Sequence, residues 1–582
     1  MKGKEKNLIG LSIGILAGWL FFSLYYASIR LYGDASGYLF QMINEDKFFV
    51  VHLRPVSFLT QLLPMLAMKM NASLRTIIIL FSFNEWLLMA CGYFVIAFSM
   101  KNKPMGLAML LVFVIGSRWN YFNPVSELYL GVPFFFMLAC VLTKAKRDVL
   151  YWLLFTALLV FTIFNHPLYS LLVPSLLGWF FLTGKRKIRS SFAEVGVSLL
   201  LIILHLRLLD DYDMRSFNPD EEQHSLTERI IGFNYMQWFT YCGVYLTGLL
   251  VLTAITFYVF WNEKRKRIAL VFLTGVLAYT LMVLYKHGND FSKTLEPFER
   301  YLFPLSIMVC MIFFSEKYYL KMRWTVWLVA LVSCYHFIQL FLYGQKVEAR
   351  YAQLERAIQY ADAREIPKLV FRAENYLSQP FGHDWTFSYE SLLLSSADDS
   401  KATRQVVILE YFPKNTIEQV KANEFIYAPD ASSRKGIEQL NTRYFSMSAS
   451  EFALANTDSI NSIQPDEFFK NIKIEFAGAE KPDAKNRTYH LPIRIINSNS
   501  RPLFSGNKME RNELSYQFYD DNGEKLDHEK IFTPVFADVF DVVNQQINLR
   551  TPEHVTGDLQ LQFVLMVGEK VVELGEAVRL KF

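Results

Sequence analysis

The placement of lysine and arginine constrains this chain more than any other feature. Short basic clusters at Lys2/Lys4/Lys6, Lys101/Lys103, Lys144/Lys146/Arg147, Lys185/Arg186/Lys187/Arg189, Lys264/Arg265/Lys266/Arg267 and Lys317/Lys321/Arg323 separate long apolar runs. The runs cover residues 7–29, 76–100, 104–117, 128–143, 149–184, 195–206, 230–262, 268–285, 301–315 and 324–345. Residues 149–184 are too many for one span, and Asn165-His166-Pro167 at their midpoint is a turn signal that divides them. Eleven spans are therefore predicted. Residues 7–29 carry no charge and are long enough to cross about 30 Å of hydrocarbon. They read as a retained first helix, because the run is too long for a signal peptide and no clear cleavage site follows. Eleven spans put every basic cluster on one side, which the positive-inside rule makes the cytoplasm. An odd count from a cytoplasmic N-terminus exports residues 346–582.

Composition agrees with a membrane as the solvent. Of 582 residues, 52% are hydrophobic, 16% aromatic and only 20% charged, which excludes disorder and collagen-like repeats. A net charge of +4, confined to short clusters, implies no nucleic-acid partner. Cys91, Cys140, Cys242, Cys310 and Cys334 all lie in apolar stretches, so an exported tail folds without disulfides. Residues 346–466 mix helices (347–363, 389–395) with short strands (368–372, 405–410, 424–428), an α/β pattern. From residue 467 alternating strands recur at 471–476, 489–496, 513–519, 545–549, 558–567 and 570–574, with turns at Asn499-Ser500, Asp521-Asn522-Gly523 and Thr556-Gly557. The expected fold class is an α-helical polytopic membrane protein of about eleven transmembrane helices (1–345), followed by an exported α/β domain (346–466) and a C-terminal β-sandwich (467–582).

Ionisable residues near membrane depth are costly, so their location is informative. Here they gather on the outer side. Asp34 follows the first span and precedes a helix carrying Tyr38, Leu39, Met42, Ile43, Phe48 and Phe49, expected to lie in the headgroup plane. Asp34 reads equally as that helix's cap and as a reactive carboxylate, and the two roles are compatible. The other outer turns bring Arg118, Asn123 and Glu127; Asn165 and His166; Asp210, Asp211 and Asp213; and Lys286, His287, Asp290, Glu296, Glu299 and Arg300. Cations beside carboxylates suit a phosphate-bearing lipid whose head reacts: the cation neutralises phosphate and the carboxylate takes a proton from the attacking hydroxyl. For any one of these residues a solvated loop charge is the competing reading. Arg118, His166 and Arg300 directly abut apolar spans and are the candidate phosphate ligands, with Asp46, Glu127, Lys286 and His287 as accessory residues. No metal site is assigned. A divalent metal clamped by Asp210-Asp211-Tyr212-Asp213 is the disfavoured reading, since acidic clusters at helix ends are usually solvated. Glu85, within the second span beside Asn84, is expected to hydrogen-bond a neighbouring helix.

The order of these parts resembles the GT-C superfamily of polytopic glycosyltransferases over roughly residues 7–345. The features that carry the resemblance are a first span, an outer loop opening Tyr32-Gly33-Asp34-Ala35-Ser36-Gly37-Tyr38, an interfacial helix, many further spans, a late Glu299-Arg300-Tyr301-Leu302 at a span start, and an exported C-terminal region. The resemblance implies transfer of a sugar from a polyprenyl-phosphate donor to a lipid, glycan or protein acceptor on the outer face of a bacterial cytoplasmic membrane. It also implies Asp34 as general base and Arg300 as a donor-phosphate ligand. Many relatives carry an Asp-Glu pair where Ala35 follows Asp34 here. The last 115 residues are similar to an immunoglobulin-like module found behind some bacterial glycosyltransferases, on Asn497 to Pro502, Leu514 to Gly523, Thr551-Pro552 and Gly557 to Leu561. Leu503-Phe504 stand where the usual tryptophan would be, which points to docking rather than sugar binding.

Two other classes compete. A lipid-linked glycan transporter would show broken helices with polar residues at the midplane, and only Asn84 and Glu85 answer to that. A non-catalytic envelope scaffold remains open.

Overall fold

Every apolar run of the sequence contains a helix in the computed structural model. The structure describes residues 2–51, 54–116, 118, 120–144, 146–186, 191–209, 246–287, 296–316, 324–371, 386–397, 403–408, 417, 419–426, 434–455, 472–476, 488–497, 503–504, 513–520, 525–526, 533–534, 536–537, 542–550, 558–567 and 570–581. The first part of the 230–262 run, Cys242, Asp210 to Asp213, Asp290 and the three C-terminal turn signals lie outside the described residues.

The helices are α1 (Lys2–Tyr25), α2 (Asp34–Glu45), α3 (Leu62–Lys69), α4 (Leu74–Phe94), α5 (Lys103–Ile115), α6 (Glu127–Leu142), α7 (Val149–Ile163), α8 (Tyr169–Leu182), α9 (Phe192–Arg207), α10 (Thr247–Asn262), α11 (Lys266–His287), α12 (Glu296–Ser315), α13 (Thr325–Ala363) and α14 (Phe387–Ser395). The Asn165-His166-Pro167 turn separates α7 from α8 as expected. Four segments are long and apolar enough to cross a membrane: Lys6–Tyr25, Leu74–Ser99, Lys266–Val283 and Thr325–Ala363. Lys103–Ile115, Glu127–Leu142, Val149–Ile163, Tyr169–Leu182, Thr247–Asn262 and Tyr301–Ser315 are apolar but shorter. At 1.5 Å per residue, a helix of about 16 residues covers about 24 Å. By length alone the described residues thus hold four candidate spans rather than eleven. Apolar side chains face outward on these helices, Leu153 on α7, Leu200 on α9 and Trp327 and Leu331 on α13 among them, as a lipid-facing surface requires.

The chain divides into two compact units. The first comprises Met1–Tyr343, Gln379–Lys401 and Gln439–Ser446, and the second Gly344–Ser378, Ala402–Glu438 and Met447–Phe582. The span at 324–345 and the helix at 347–363, read separately from sequence, form the continuous α13, because no helix breaker stands between them.

Within the first unit, two buried acids gather basic loops at one end of the bundle. Glu194 at the start of α9 accepts the Arg147 guanidinium at 2.9 Å and the Tyr151 hydroxyl at 2.9 Å. Glu316 after α12 pairs with Lys185 and Arg265, each at 2.7 Å. Arg186 donates to the carbonyls of Leu142 and Lys144, tying the end of α8 to the end of α6. Loops following α6, α8, α10 and α12 therefore meet at the same end. The start of α6 lies at the other end, where Asn165 donates to the Glu127 carbonyl at 2.7 Å.

In the second unit, β1 (Lys368–Phe371) is the middle strand of a parallel sheet, between β2 (Gln405–Ile408) and β5 (Ala453–Ala455). Val370, Val407, Val420 and Ile426 form its core. A hairpin pairs β3 (Glu424–Ile426) with β4 (Arg434–Gly436). All six strands expected beyond residue 467 are strands: β6 (Ile472–Phe476), β7 (Thr488–Asn497), β9 (Glu513–Tyr519), β12 (Val542–Arg550), β13 (Asp558–Val567) and β14 (Lys570–Lys581). They form antiparallel sheets ordered β12-β7-β6 and β10-β9-β13-β14, where β10 is Thr533–Pro534, and β8 (Leu503–Phe504) pairs with β11 (Phe536–Ala537).

Candidate functional site

The loop after α1 is held by a buried arginine. Arg30, fully buried, pairs with Glu85 of α4 and donates to the carbonyl of Tyr121 at 2.8 Å, the carbonyl of Ser82 at 2.7 Å and the Ser23 hydroxyl at 3.2 Å. Its guanidinium also stacks over the Tyr121 ring, 4.2 Å from the centroid. Glu85 is thus an interhelical partner, as its sequence context suggested. Asn84 beside it donates to the Leu59 carbonyl at 2.7 Å and accepts from the Leu63 amide at 3.3 Å, fastening the 3₁₀ turns of Pro55–Gln61 to α4.

Asp34 opens α2 from an exposed position, and the residue before it determines how. Gly33 occupies the N-cap with φ 63° and ψ −138°, a conformation closed to residues with a Cβ, and no side chain caps the helix. Asp34 is therefore the first helical residue and not the cap, because the chain enters the helix through Gly33. A carboxylate there is favoured by the helix dipole. One turn later, Tyr38 lies on the same face. Its hydroxyl donates to Glu127 Oε1 at 2.9 Å, and Arg54 pairs with Glu127 Oε2 at 3.2 Å. Burial, with the Glu127 and Asp34 charges added, raises the Tyr38 pKa well above the ordinary phenol value, against a lowering by Arg54. The phenol stays a hydrogen-bond donor.

The α2 helix is covered by protein along most of its length. Leu39 and Ile43 point one way and Phe40 another, so apolar residues surround it and it needs cover on more than one side. The Phe40 ring packs 5.4 Å from that of Tyr389 on α14 and 5.3 Å from that of Phe445. Asn441 donates to the Ile43 carbonyl at 2.8 Å. The helix also ends at Glu45, so Phe48 and Phe49 lie beyond it.

The remaining candidates separate into three groups. Arg118 and His166 are both buried rather than displayed at a surface. His166 follows Asn165, whose amide reaches Glu127, and its Nδ1 accepts from the Leu168 amide at 3.2 Å. Arg118 lies between Gly116, whose carbonyl accepts from Tyr129, and Tyr121, whose carbonyl is held by Arg30. Asp46 belongs elsewhere: it terminates α2 in the left-handed region and pairs with Lys69 on the surface. About 18 Å of helix separates it from Asp34, so it is not part of the Asp34 group. Lys286 and His287 end α11 and Arg300 lies near the start of α12, but their side chains lie outside the description. The position of Arg300 is three residues before Phe303, whose ring stacks on Tyr129 at 4.2 Å. This sets the start of α12 beside the 116–129 segment.

Asp34, Tyr38, Arg54, Glu127 and Asn165-His166 thus meet at one end of the first unit. Tyr38 reads from sequence as an apolar residue, and Arg54 as one more loop charge. Arg30 has a usable signal: a cation closing an uncharged span, followed by a carboxylate within the next. Among the described residues no group of three or more His, Cys, Asp or Glu could hold a metal ion. No protein-family model matches this chain, and no curated protein or solved structure does so either.

Proposed function

We propose that the chain is an inverting, integral-membrane glycosyltransferase with a polyprenyl-phosphate-linked sugar as donor and Asp34 as general base. The observation that carries this reading is the exposed carboxylate at the start of α2, backed by Tyr38, Glu127 and Arg54 and sharing its end of the bundle with His166. An acceptor hydroxyl attacks the anomeric carbon and gives its proton to Asp34. The bond from that carbon to the phosphate oxygen breaks, and the lipid phosphate leaves with the electron pair. Arg118, His166 and Arg300 neutralise that phosphate. Since Arg118 and His166 are buried, the donor head reaches them inside the helical unit and not on its rim.

In this reading all eleven apolar helices cross the bilayer of a bacterial cytoplasmic membrane, with the shorter ones spanning a locally thinned core. The Glu194 and Glu316 end, rich in bound Lys and Arg, faces the cytoplasm. Residues 346–582 are exported and the C-terminal sheets close into a β-sandwich. Glu85 is tied to Arg30, which favours chemistry at an interface over a polar path through the midplane.

The test uses purified protein, a panel of polyprenyl-phosphate hexoses and pentoses, and native membrane extract as acceptor source. Asp34→Asn keeps size and removes basicity. It is expected to lower transfer by about 10²- to 10⁴-fold while the protein stays folded. Near-normal transfer by this variant would remove Asp34 as the base.

A further inference from the structure

Around Glu127 the interior carries polar atoms that the protein itself does not satisfy. Ser57 Oγ, Asn120 Nδ2, Asn123 Oδ1, Asn165 Oδ1 and His205 Nε2 are buried, and among the described residues none has a hydrogen-bond partner. Each is linked to Glu127 by a short path. Asn165 donates to the Glu127 carbonyl through its other amide atom. Ser126, next in sequence, donates its hydroxyl to Asn120 at 3.4 Å and its amide to the Asn123 carbonyl at 3.1 Å. Arg54, the ion-pair partner of Glu127, accepts the Ser57 amide on its carbonyl. The His205 ring of α9 stands edge-on to Phe164, beside Asn165.

A buried polar group left without a partner costs about 1–3 kcal/mol, so five around Glu127 favour a molecule that meets them, a ligand or ordered water. Their chemistry restricts which. They comprise amides, a hydroxyl and an imidazole, uncharged groups that both donate and accept, and this is the pattern that matches the hydroxyls of a neutral sugar. Two of the adjoining charges, Arg54 and Glu127, are paired with each other.

We propose that Ser57, Asn120, Asn123, Asn165 and His205 form the subsite that selects the sugar of the donor. The inference rests on the glycosyltransfer reading and adds to it the residues that set specificity. A site built to hydrogen-bond hydroxyls rejects ligands lacking them, because its own polar groups are then left unpaired.

The experiment measures binding of the full-length protein, in nanodiscs, to bare polyprenyl phosphate, to the panel of polyprenyl-phosphate sugars, and to soluble methyl glycosides. The native protein is expected to bind at least one sugar-lipid about tenfold or more tightly than bare polyprenyl phosphate. Asn123→Ala and His205→Phe should each erase most of that increment and leave bare-lipid affinity as it was. Melting temperature is followed on the same preparations. If the native protein shows no increment for any sugar, both the subsite and the glycosyltransfer reading fall. If the native protein discriminates and the folded variants discriminate equally, the subsite alone falls, and a lowered melting temperature with the increment intact means these atoms bind only structural water. Loss of methyl-glycoside binding with the donor increment unchanged would assign the group to the acceptor and overturn the proposal.

Discussion

Arg30 shows how one residue can organise a loop from within. Its guanidinium meets Glu85, both oxygens of Ser82, the Ser23 hydroxyl and the Tyr121 carbonyl, so it joins α1, α4 and the 116–122 segment at a point four residues before Asp34. Removing one member of a buried ion pair leaves the other charge without compensation, at a cost of about 3–5 kcal/mol. Glu85→Leu is therefore expected to lower thermal stability strongly, and Arg30→Met with Glu85→Leu to recover part of the loss. Melting curves of the two single variants and the double variant check this. Purely additive losses would show that Arg30 and Glu85 act independently. At the same scale, Asp34 was legible in the sequence because it stands charged just after a span. Tyr38 was not, because a phenol in the apolar run Tyr38-Leu39-Phe40 says nothing about whether it will find a carboxylate from a helix 89 positions away.

Helix approach is set by the smallest residues. Gly131 of α6 faces the Tyr169 ring of α8 so closely that an added Cβ would overlap it, while Tyr169 donates to the Leu128 carbonyl at 2.6 Å. Gly178, on α8 itself, has nothing within 4 Å of an added Cβ. Gly131→Ala is expected to push α6 from α8 and destabilise the protein by about 1–3 kcal/mol, the usual range for overpacking. Gly178→Ala should be neutral or slightly stabilising, since alanine is the better helix former. Thermal unfolding of both distinguishes a packing constraint from a general intolerance of substitution, and equal effects would refute the constraint. Because α6 begins with Glu127, its displacement should also lower transfer. The helices themselves were readable from apolar runs and the Asn-His-Pro turn. The burial of α2 was not, because its cover, Tyr389 and Phe445, comes from segments some 350 to 400 residues further along the chain.

For the whole molecule, topology is the claim on which the others depend. Four basic loops meet at Glu194 and Glu316, and the Asp34 group lies at the opposite end of α6. An export-dependent alkaline phosphatase fused after Phe582 is therefore expected to be active, and a fluorescent protein that matures only in the cytoplasm to stay dark there. A bright fusion would reverse the assignment of inside and outside. Taken alone, the sequence settled the features that composition along short stretches dictates: the apolar helices, two of the three strands of the parallel sheet, the six longer C-terminal strands, and a carboxylate at the foot of the first apolar helix. These depend on local periodicity and on the cost of burying charge, both of which act between near neighbours in the chain. Only the tertiary structure decided that Gly33 and not Asp34 caps α2, that Asp46 stands apart from the site, and that Tyr38, Arg54 and Glu127 form one network. Those outcomes depend on which distant segments meet, and the physical reason is that a hydrogen bond or an ion pair needs atoms within about 3 Å, a condition that no spacing along the chain expresses.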